Sequence, residues 1–178
     1  MLRRSLDGLY ACGAVLAALC VLAILALMIA ASIGRVMEWR VSWVNDVVAW
    51  LCAASAFLGM AYSFRNGDFV RVTLVLESAS PTARWRLELA SLLVAAVAIG
   101  YLAWWAVAFT WESWVFGDVA GGMVPIPMWM PQLSFAVGAL IFWVAVLDEC
   151  ARVLTGAKPS YTVLVEQRHA RGDFSQEL

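Results

Sequence analysis

The sequence predicts an all-α membrane protein with four transmembrane helices, both termini in the cytoplasm, and a short interfacial segment between the second and third helices. Three observations support this fold class. Of the 178 residues, 63% are hydrophobic and only 14% are charged, whereas soluble domains carry about 25% charged residues. The charges fall in clusters separated by long uncharged stretches, and Lys and Arg are concentrated in alternate connections.

The uncharged stretches define the four spans. No charged residue occurs in residues 8–34, 47–64, 89–111 or 119–147, and a membrane helix needs about 20 apolar residues. We therefore predict spans at about residues 9–33, 44–64, 87–110 and 129–147 within one transmembrane domain, residues 1–155. Residues 156–178 are polar and are predicted to form a solvated cytoplasmic tail.

The first span also has features of an export signal, namely Arg3 and Arg4 at its start and small residues near its end. The apolar region of a cleavable signal is only about 7–15 residues long. Because this apolar region is longer, we interpret it as a retained first membrane helix.

The basic residues set the orientation. Ten of the twelve Lys and Arg lie at the N-terminus, in the second connection or after the fourth span. The first connection has only Arg35 and Arg40, and the third has Glu112 and Asp118 but no basic residue. Because Lys and Arg are enriched in cytoplasmic loops, both termini are predicted to be cytoplasmic.

Two helix starts carry capping signals. Ser42 is predicted to cap the second helix, which places Asp46 in the first turn, where the helix dipole favours a negative charge. Ser80 and Pro81 are predicted as the N-cap and first residue of the third helix. A functional alternative for Asp46 is an external ionic cluster that docks a partner and comprises Arg35, Glu38, Arg40 and Asp46.

The second connection begins with a turn signal at Asn66–Gly67. The following run, Phe69–Leu76, is mostly apolar, too short to cross a membrane and flanked by charge. It is predicted to lie along the cytoplasmic membrane surface.

Small residues recur at four-residue spacing, a pattern that lets membrane helices approach closely. The pattern predicts helix packing but leaves open whether the neighbour is another helix of this chain or a partner. The residues are Ser55, Gly59, Ser63, Ala96, Gly100, Ser134 and Gly138.

Prolines mark the start of the fourth helix. Pro125 and Pro127 hold the chain extended. Pro131 falls in the first turn of a helix that begins at Met128, where a missing N–H forfeits no intrahelical bond. Trp129 then marks the outer interface. An aromatic belt explains the tryptophans of the outer half, and a docking surface for a partner is the alternative; they are Trp104, Trp105, Trp111, Trp114 and Trp129.

The sequence predicts no catalytic, cofactor or metal site, and therefore no enzyme. No Asp, Glu, Lys, Arg or His lies in the middle of a predicted span, although ion and proton pathways normally need such groups. The only histidine, His169, lies in the tail, and the four cysteines form no Cys-x-x-Cys motif. The net charge of −1 gives no indication of nucleic-acid binding.

The segment Phe57-Leu-Gly-Met-Ala-Tyr-Ser-Phe-Arg-Asn-Gly-Asp-Phe-Val-Arg-Val72 resembles the best-marked segment of the small (Q-type) membrane subunit of TRAP (tripartite ATP-independent periplasmic) transporters. In that family a Phe-Leu-Gly-type stretch runs into an Arg-x-Gly turn and an apolar-Arg-Val segment. The four-helix layout and the Pro-x-Pro-x-Trp-x-Pro start of the last helix are similar too. The resemblance covers about residues 5–155. Many members have His where this chain has Phe69 and Asp where it has Thr73.

The resemblance implies that the chain lies in a bacterial or archaeal cytoplasmic membrane. It also implies three partners, namely a large membrane subunit, a periplasmic binding protein and membrane lipid. A large multi-helix subunit holds the sodium and substrate sites and moves like an elevator, while the small subunit is a fixed scaffold in contact with lipid. A periplasmic solute-binding protein delivers a carboxylate or similar solute. No cofactor is expected in this chain.

The resemblance also suggests roles for residues. Arg65, Phe69 and Arg71 would lie at the cytoplasmic interface, and the small residues would pack helix on helix. The binding protein would dock on an outer surface that comprises Arg35, Glu38, Arg40, Asp46, Glu112, Asp118 and Trp129.

Three alternatives stay open. The first is the small subunit of a tricarboxylate-type tripartite transporter, although the Arg65–Arg71 segment favours the TRAP family. The second is an electron-transfer subunit such as a quinone-linked cytochrome b, against which the missing histidines argue. The third is a structural or assembly protein without a transport partner.

Overall fold

The computed structural model of the protein describes residues 2–39, 43–68, 80–121, 125–157 and 159–164. These residues contain four long α-helices, α1 (Leu2–Val36), α2 (Val44–Asn66), α3 (Pro81–Phe116) and α4 (Trp129–Leu154), a short helical stretch at residues 160–164, and no β-structure beyond one isolated bridge. All four helices are long and apolar enough to cross a membrane. The predicted all-helical fold with four spans is therefore confirmed. The predicted interfacial segment, Phe69–Leu76, lies outside the described residues.

The helices are longer than the predicted spans. α1 has 35 residues and α3 has 36, so each is more than about 50 Å long, whereas the hydrocarbon core of a bilayer is about 30 Å thick. The additional turns carry charged residues such as Arg84 and Glu112. The helices therefore tilt in the membrane or extend beyond its hydrocarbon core at their ends.

The start of α3 and the end of α2 follow their local sequence signals. The Ser80 hydroxyl accepts a hydrogen bond from the Ala83 N–H at 3.4 Å, and Pro81 is the first helical residue, as predicted. Gly67 ends α2 in the left-handed conformation (φ 78°), and its N–H donates to the Phe64 carbonyl. The Asn66–Gly67 turn signal therefore corresponds to a glycine C-cap.

The predicted cap of α2 was wrong. The helix begins at Val44, with Trp43 in the capping position and no side-chain cap hydrogen bond. Ser42 itself lies outside the described residues. Asp46 does lie in the first turn, where its charge favours the exposed N–H groups of the helix start.

The helices lie side by side in the order α1, α2, α4, α3. α2 packs against α1 and α4, and α4 packs against α2 and α3, whereas α1 meets α4 only marginally. In a closed four-helix bundle every helix has two neighbours. Here α1 and α3 form the two edges of an open layer, and each edge helix turns a long apolar face away from the rest of the described chain.

Small side chains dominate the core of this layer, so the helices approach closely. Between α1 and α2 the buried residues are Ala17, Ala54 and Leu58. Where α1, α2 and α4 meet they are Tyr10, Ala61 and Ala145. Between α3 and α4 they are Leu92, Ala96, Val146, Cys150 and Val153.

The connection from α3 to α4 is braced by backbone hydrogen bonds. Val119 and Pro127 form an antiparallel bridge, and the Met128 N–H donates to the Asp118 carbonyl at 2.9 Å. α4 begins directly after Met128, so Pro131 lies in its first turn, as predicted.

Candidate functional site

Helix α2 is in close contact with a glycine of each of its two neighbouring helices, α1 and α4. A Cβ added at Gly138 of α4 would lie 2.7 Å from both the carbonyl carbon and the Cβ of Phe57, and one added at Gly13 of α1 would lie 2.8 Å from the carbonyl oxygen of Leu58. Both distances are too short for a methyl group. Two neighbouring residues of α2 therefore form the contacts with α4 and α1.

The other small residues of α2 and α4 are packed less closely. A Cβ at Gly59 would lie 3.5 Å from the Cβ of Ala17, which is an ordinary van der Waals contact. The hydroxyls of Ser55 and Ser134 each donate to a carbonyl three residues earlier in the same helix, and Ser63 is half-buried. The hydroxyls of Ser55 and Ser134 are therefore satisfied within their own helices and do not link two helices.

A tryptophan links α4 to the small-residue stripe of α3. The Trp143 Nε1–H donates to the carbonyl oxygen of Ala96 at 3.0 Å. A Cβ added at Gly100 would lie 2.7 Å from the same Nε1. Gly100 thus leaves the space through which the indole reaches a backbone acceptor inside the membrane.

A second tryptophan forms the reverse bond between the same helices. Trp85 of α3 donates its Nε1–H to the carbonyl oxygen of Val153 in α4 at 3.2 Å. The two bonds involve donors on opposite helices, and their α3 residues, Trp85 and Ala96, are about 16 Å apart along the axis. Together they fix both the rotation and the register of α3 relative to α4.

The residues after α4 fold back onto the helices. Glu149 is only 2% exposed, and its Oε2 accepts a hydrogen bond from the backbone N–H of Ser160 at 2.9 Å. Arg152 donates to the Ser160 hydroxyl. The Tyr161 hydroxyl donates to Oε1 of Glu88 in α3 at 2.8 Å, and Tyr161 is 3% exposed.

These contacts differ from the expectation of a solvated tail beginning at residue 156. Ser160 and Tyr161 are buried. Ser160 donates to a carboxylate near the end of α4, and Tyr161 donates to a carboxylate near the start of α3. The remaining tail, residues 165–178, lies outside the described residues.

Arg65 joins α2 to α1 at the same end of the molecule. Its guanidinium group pairs with the carboxylate of Asp7 and lies 5.4 Å from the centre of the Tyr10 ring. The other two residues predicted at this interface, Phe69 and Arg71, lie outside the described residues.

The predicted outer surface is exposed, but the structure does not bring its charges together. Among the charged residues described there, no ion pair joins one to another; Arg40 lies outside the described residues. The exposed charges are Arg35, Glu38, Asp46, Glu112 and Asp118.

Trp129 is half-buried beside these charges and belongs to an apolar groove between α3 and α4. Its ring packs edge-on against Trp114, with the ring centres 4.8 Å apart. The groove has a volume of about 400 Å³ and runs from these two rings past Thr110 to Leu140. The Thr110 hydroxyl donates to the backbone of its own helix, so the lining is almost entirely apolar.

The family described as "Tripartite ATP-independent periplasmic transporters, DctQ component" matches residues 24–156, most of the chain. The chain belongs to the DctQ family. DctQ proteins are the small membrane component of TRAP transporters and are not an enzyme family. A comparison with curated proteins found no match.

The DctQ match includes the contacts of α4 with its two neighbours, namely Gly138 with Phe57 and Trp143 with Ala96. Contacts that involve Asp7, Gly13 or the residues after α4 extend beyond it. In the described part of this DctQ chain, no group of three or more His, Cys, Asp or Glu is placed to hold a metal ion.

Sequence reasoning identified Gly100 and Gly138 but overlooked Gly13 and Trp143. Gly13 has Ala17 four residues later, which is the same spacing signal, but small residues are so frequent in α1 that it does not stand out. For Trp143 the signal was an indole N–H within an apolar span, because such a donor needs an acceptor when it is buried.

Proposed function

We propose that this DctQ chain is the fixed scaffold subunit of a TRAP transporter. It packs beside a large sodium-coupled subunit that moves its substrate by an elevator motion. Both termini lie in the cytoplasm of a bacterium or archaeon, and the chain spans the cytoplasmic membrane. The solute is a carboxylate or a similar compound delivered by a periplasmic binding protein, and the sodium and solute sites belong to the large subunit. This chain holds no cofactor.

The observation that carries this proposal is the distribution of polar groups along the helices. In α3 no ionisable side chain other than Tyr101 lies between Glu88 and Glu112, and the inter-helix hydrogen bond in that interval joins Trp143 to a backbone carbonyl. Ion and proton pathways within a membrane are typically marked by ionisable groups at mid-depth. Close glycine contacts and indole–carbonyl bonds instead favour a rigid body, which can support a partner that moves.

The direct test is reconstitution with the large subunit of the same source. The two chains are co-expressed, purified in a mild detergent through a tag on this chain, and placed in liposomes with the binding protein. We expect the large subunit to co-elute and solute uptake to require both this chain and a sodium gradient. If the large subunit never co-elutes, or if it transports equally well alone, the scaffold proposal is wrong.

We further propose that the outer end receives the binding protein. The Val119–Pro127 bridge and the bond from Met128 to Asp118 hold the connection before α4 in place, and Trp129 packs on Trp114 at its end. This bracing holds the exposed Asp118 in a fixed position for docking.

Changing Trp129 to Ala tests the docking surface. We expect uptake driven by the binding protein to fall several-fold at subsaturating binding protein while the large subunit still co-elutes, because Trp129 lies at the outer end and away from the α2–α4 contact. Trp129→Phe retains a ring against Trp114 and is the matched control, with a smaller expected loss. Unchanged uptake in the Ala variant would leave Trp129 with a purely structural role.

A further inference from the structure

The outer face of α3 carries a row of aromatic rings. Tyr101, Trp105 and Phe109 follow one another at four-residue spacing, and their ring centres are 6.2 and 5.8 Å apart. All three side chains are exposed, Tyr101 to 68%. At 100° per residue, Tyr101 points away from the face that packs against α4, on which Ala103 and Ala106 are buried.

Tyr101 lies near the middle of the membrane. It is thirteen residues after Glu88 and eleven before Glu112, and no charged residue occurs between these two. At a rise of 1.5 Å per residue the distances along α3 are about 20 and about 16 Å. Because the hydrocarbon core is about 30 Å thick, the Tyr101 ring is too deep for its hydroxyl to reach either interface.

The hydroxyl of Tyr101 therefore needs a partner. No hydrogen bond joins Tyr101 to any residue that the structure describes. A hydroxyl without a partner in hydrocarbon loses its bonds to water and gains nothing in return. Tyrosines that face lipid lie in the interfacial belts, where the hydroxyl is hydrated, and lipid tails offer no acceptor at the depth of Tyr101.

The opposite edge of the layer has a different surface. The large exposed side chains in the middle of α1 are aliphatic and include Leu19, Leu22, Leu25 and Ile29. Such a surface is stable against lipid tails, because aliphatic side chains have no polar group that needs a hydrogen-bond partner. The two edges of the open layer thus differ in chemistry, and the aromatic edge has a hydroxyl that needs a hydrogen-bond partner from another protein.

We propose that the face formed by Tyr101, Trp105 and Phe109 packs against a transmembrane helix of the large TRAP subunit, which offers a backbone or side-chain oxygen to the Tyr101 hydroxyl at mid-depth. The inference rests on the proposed function, because membership of a tripartite transporter supplies the membrane partner. It adds which edge of this chain meets that partner and what chemistry the partner presents. α1 is left to face lipid.

Site-specific photo-cross-linking in membranes tests this assignment. The photo-reactive p-benzoyl-phenylalanine replaces Trp105 in one variant and Leu22 in a control, each co-expressed with the tagged large subunit of the same source. We expect an adduct with the large subunit from position 105 and none from position 22. An adduct between two copies of this chain at position 105, or no protein adduct there, overturns the proposal.

The outcome separates this inference from the proposed function. If the large subunit co-purifies but cross-links from position 22 rather than 105, the edge is wrong and the scaffold function stands. If the large subunit does not co-purify at all, both fail.

The hydroxyl itself is tested by Tyr101→Phe, which removes one oxygen and retains the ring. We expect association with the large subunit in liposomes to weaken about threefold, the effect of an average hydrogen bond between membrane helices. Energy transfer between fluorescently labelled subunits measures this change. Tyr62→Phe is the control, because Tyr62 is also exposed but lies near the end of α2. An unchanged Tyr101→Phe, or equal losses in both variants, contradicts the proposed bond.

Discussion

Gly138 and Gly59 show how the neighbour decides what a glycine does in a membrane helix. Opposite Gly138 lies the backbone of Phe57, whereas opposite Gly59 lies only the methyl group of Ala17. A methyl group at position 138 must push α2 and α4 apart, which typically costs about 1–3 kcal/mol. We expect Gly138→Ala to lower the free energy of unfolding by about this amount, measured as thermal unfolding of the purified chain in detergent.

Gly59→Ala is the matched control for that change. Its added methyl group makes an ordinary contact, and alanine favours the helix by about 0.5–1 kcal/mol relative to glycine. The thermal midpoint of Gly59→Ala should therefore stay the same or rise. Equal destabilisation by both substitutions would show that the distances at the two glycines do not control packing.

The indole bond of Trp143 can be removed with little change in shape. Trp143→Phe retains an aromatic ring but loses the donor to Ala96. Hydrogen bonds between membrane helices average about 0.6 kcal/mol, and the smaller ring adds a packing loss. We expect a loss of about 1–2 kcal/mol in thermal unfolding, whereas Trp111→Phe, at an exposed position of α3, should have little effect. An equally large loss in Trp111→Phe would show that the hydrogen bond of Trp143 does not account for the destabilisation.

At the scale of whole elements, the segment 159–164 behaves as part of the helical domain. Its Ser160 and Tyr161 supply donors to Glu149 and Glu88, which belong to two different helices. The segment thereby links the start of α3 to the end of α4, where Trp85 also forms a hydrogen bond between these helices.

Truncation separates this segment from the rest of the tail. A chain that ends after Leu164 retains the described contacts and should unfold at an unchanged temperature. A chain that ends after Ala157 leaves the buried Glu149 without the Ser160 N–H, and an unsatisfied buried charged group costs at least about 1–3 kcal/mol. We expect a clear fall in the thermal midpoint of that variant only. If both truncated chains unfold alike, the segment does not stabilise the domain.

The helices themselves were predictable because charge and hydropathy act locally. Each uncharged stretch contains one helix core, and Ser80 with Pro81 located the start of α3 to the residue. The start of α2 was misplaced because Ser42 is a favourable cap by type, yet the helix begins with Trp43 in the capping position and no side-chain cap.

The order of the helices in the layer was not predictable. Spacing patterns such as Ala96 and Gly100 show that a helix has a close neighbour but do not identify it, and here the neighbour is the indole of Trp143. Nothing in the sequence indicates that the chain folds back after α4, because Ser160 and Tyr161 are polar residues that are also common on exposed surfaces. Their burial depends on carboxylates that are distant in the sequence.

At the scale of the molecule, the open layer separates three surfaces with different chemistry. The edge at α1 is aliphatic, the edge at α3 carries a row of aromatic rings, and the exposed charges of the first and third connections lie apart from one another at one end. The opposite end has the pair of Asp7 with Arg65 and the closed segment after α4. A scaffold needs this kind of asymmetry, because it must contact lipid, a membrane partner and a soluble partner at once.

The direction of this asymmetry across the membrane is the last prediction. Ten of the twelve Lys and Arg lie at the N-terminus, in the second connection or after the fourth predicted span, and positive residues are retained on the cytoplasmic side during insertion. In a chain whose four cysteines are replaced by alanine, we expect a membrane-impermeant maleimide to label Asp118→Cys in intact cells. Thr155→Cys, which is also at an exposed position, should react only after the membrane is opened. The reverse pattern would place the docking charges in the cytoplasm, out of reach of any periplasmic protein.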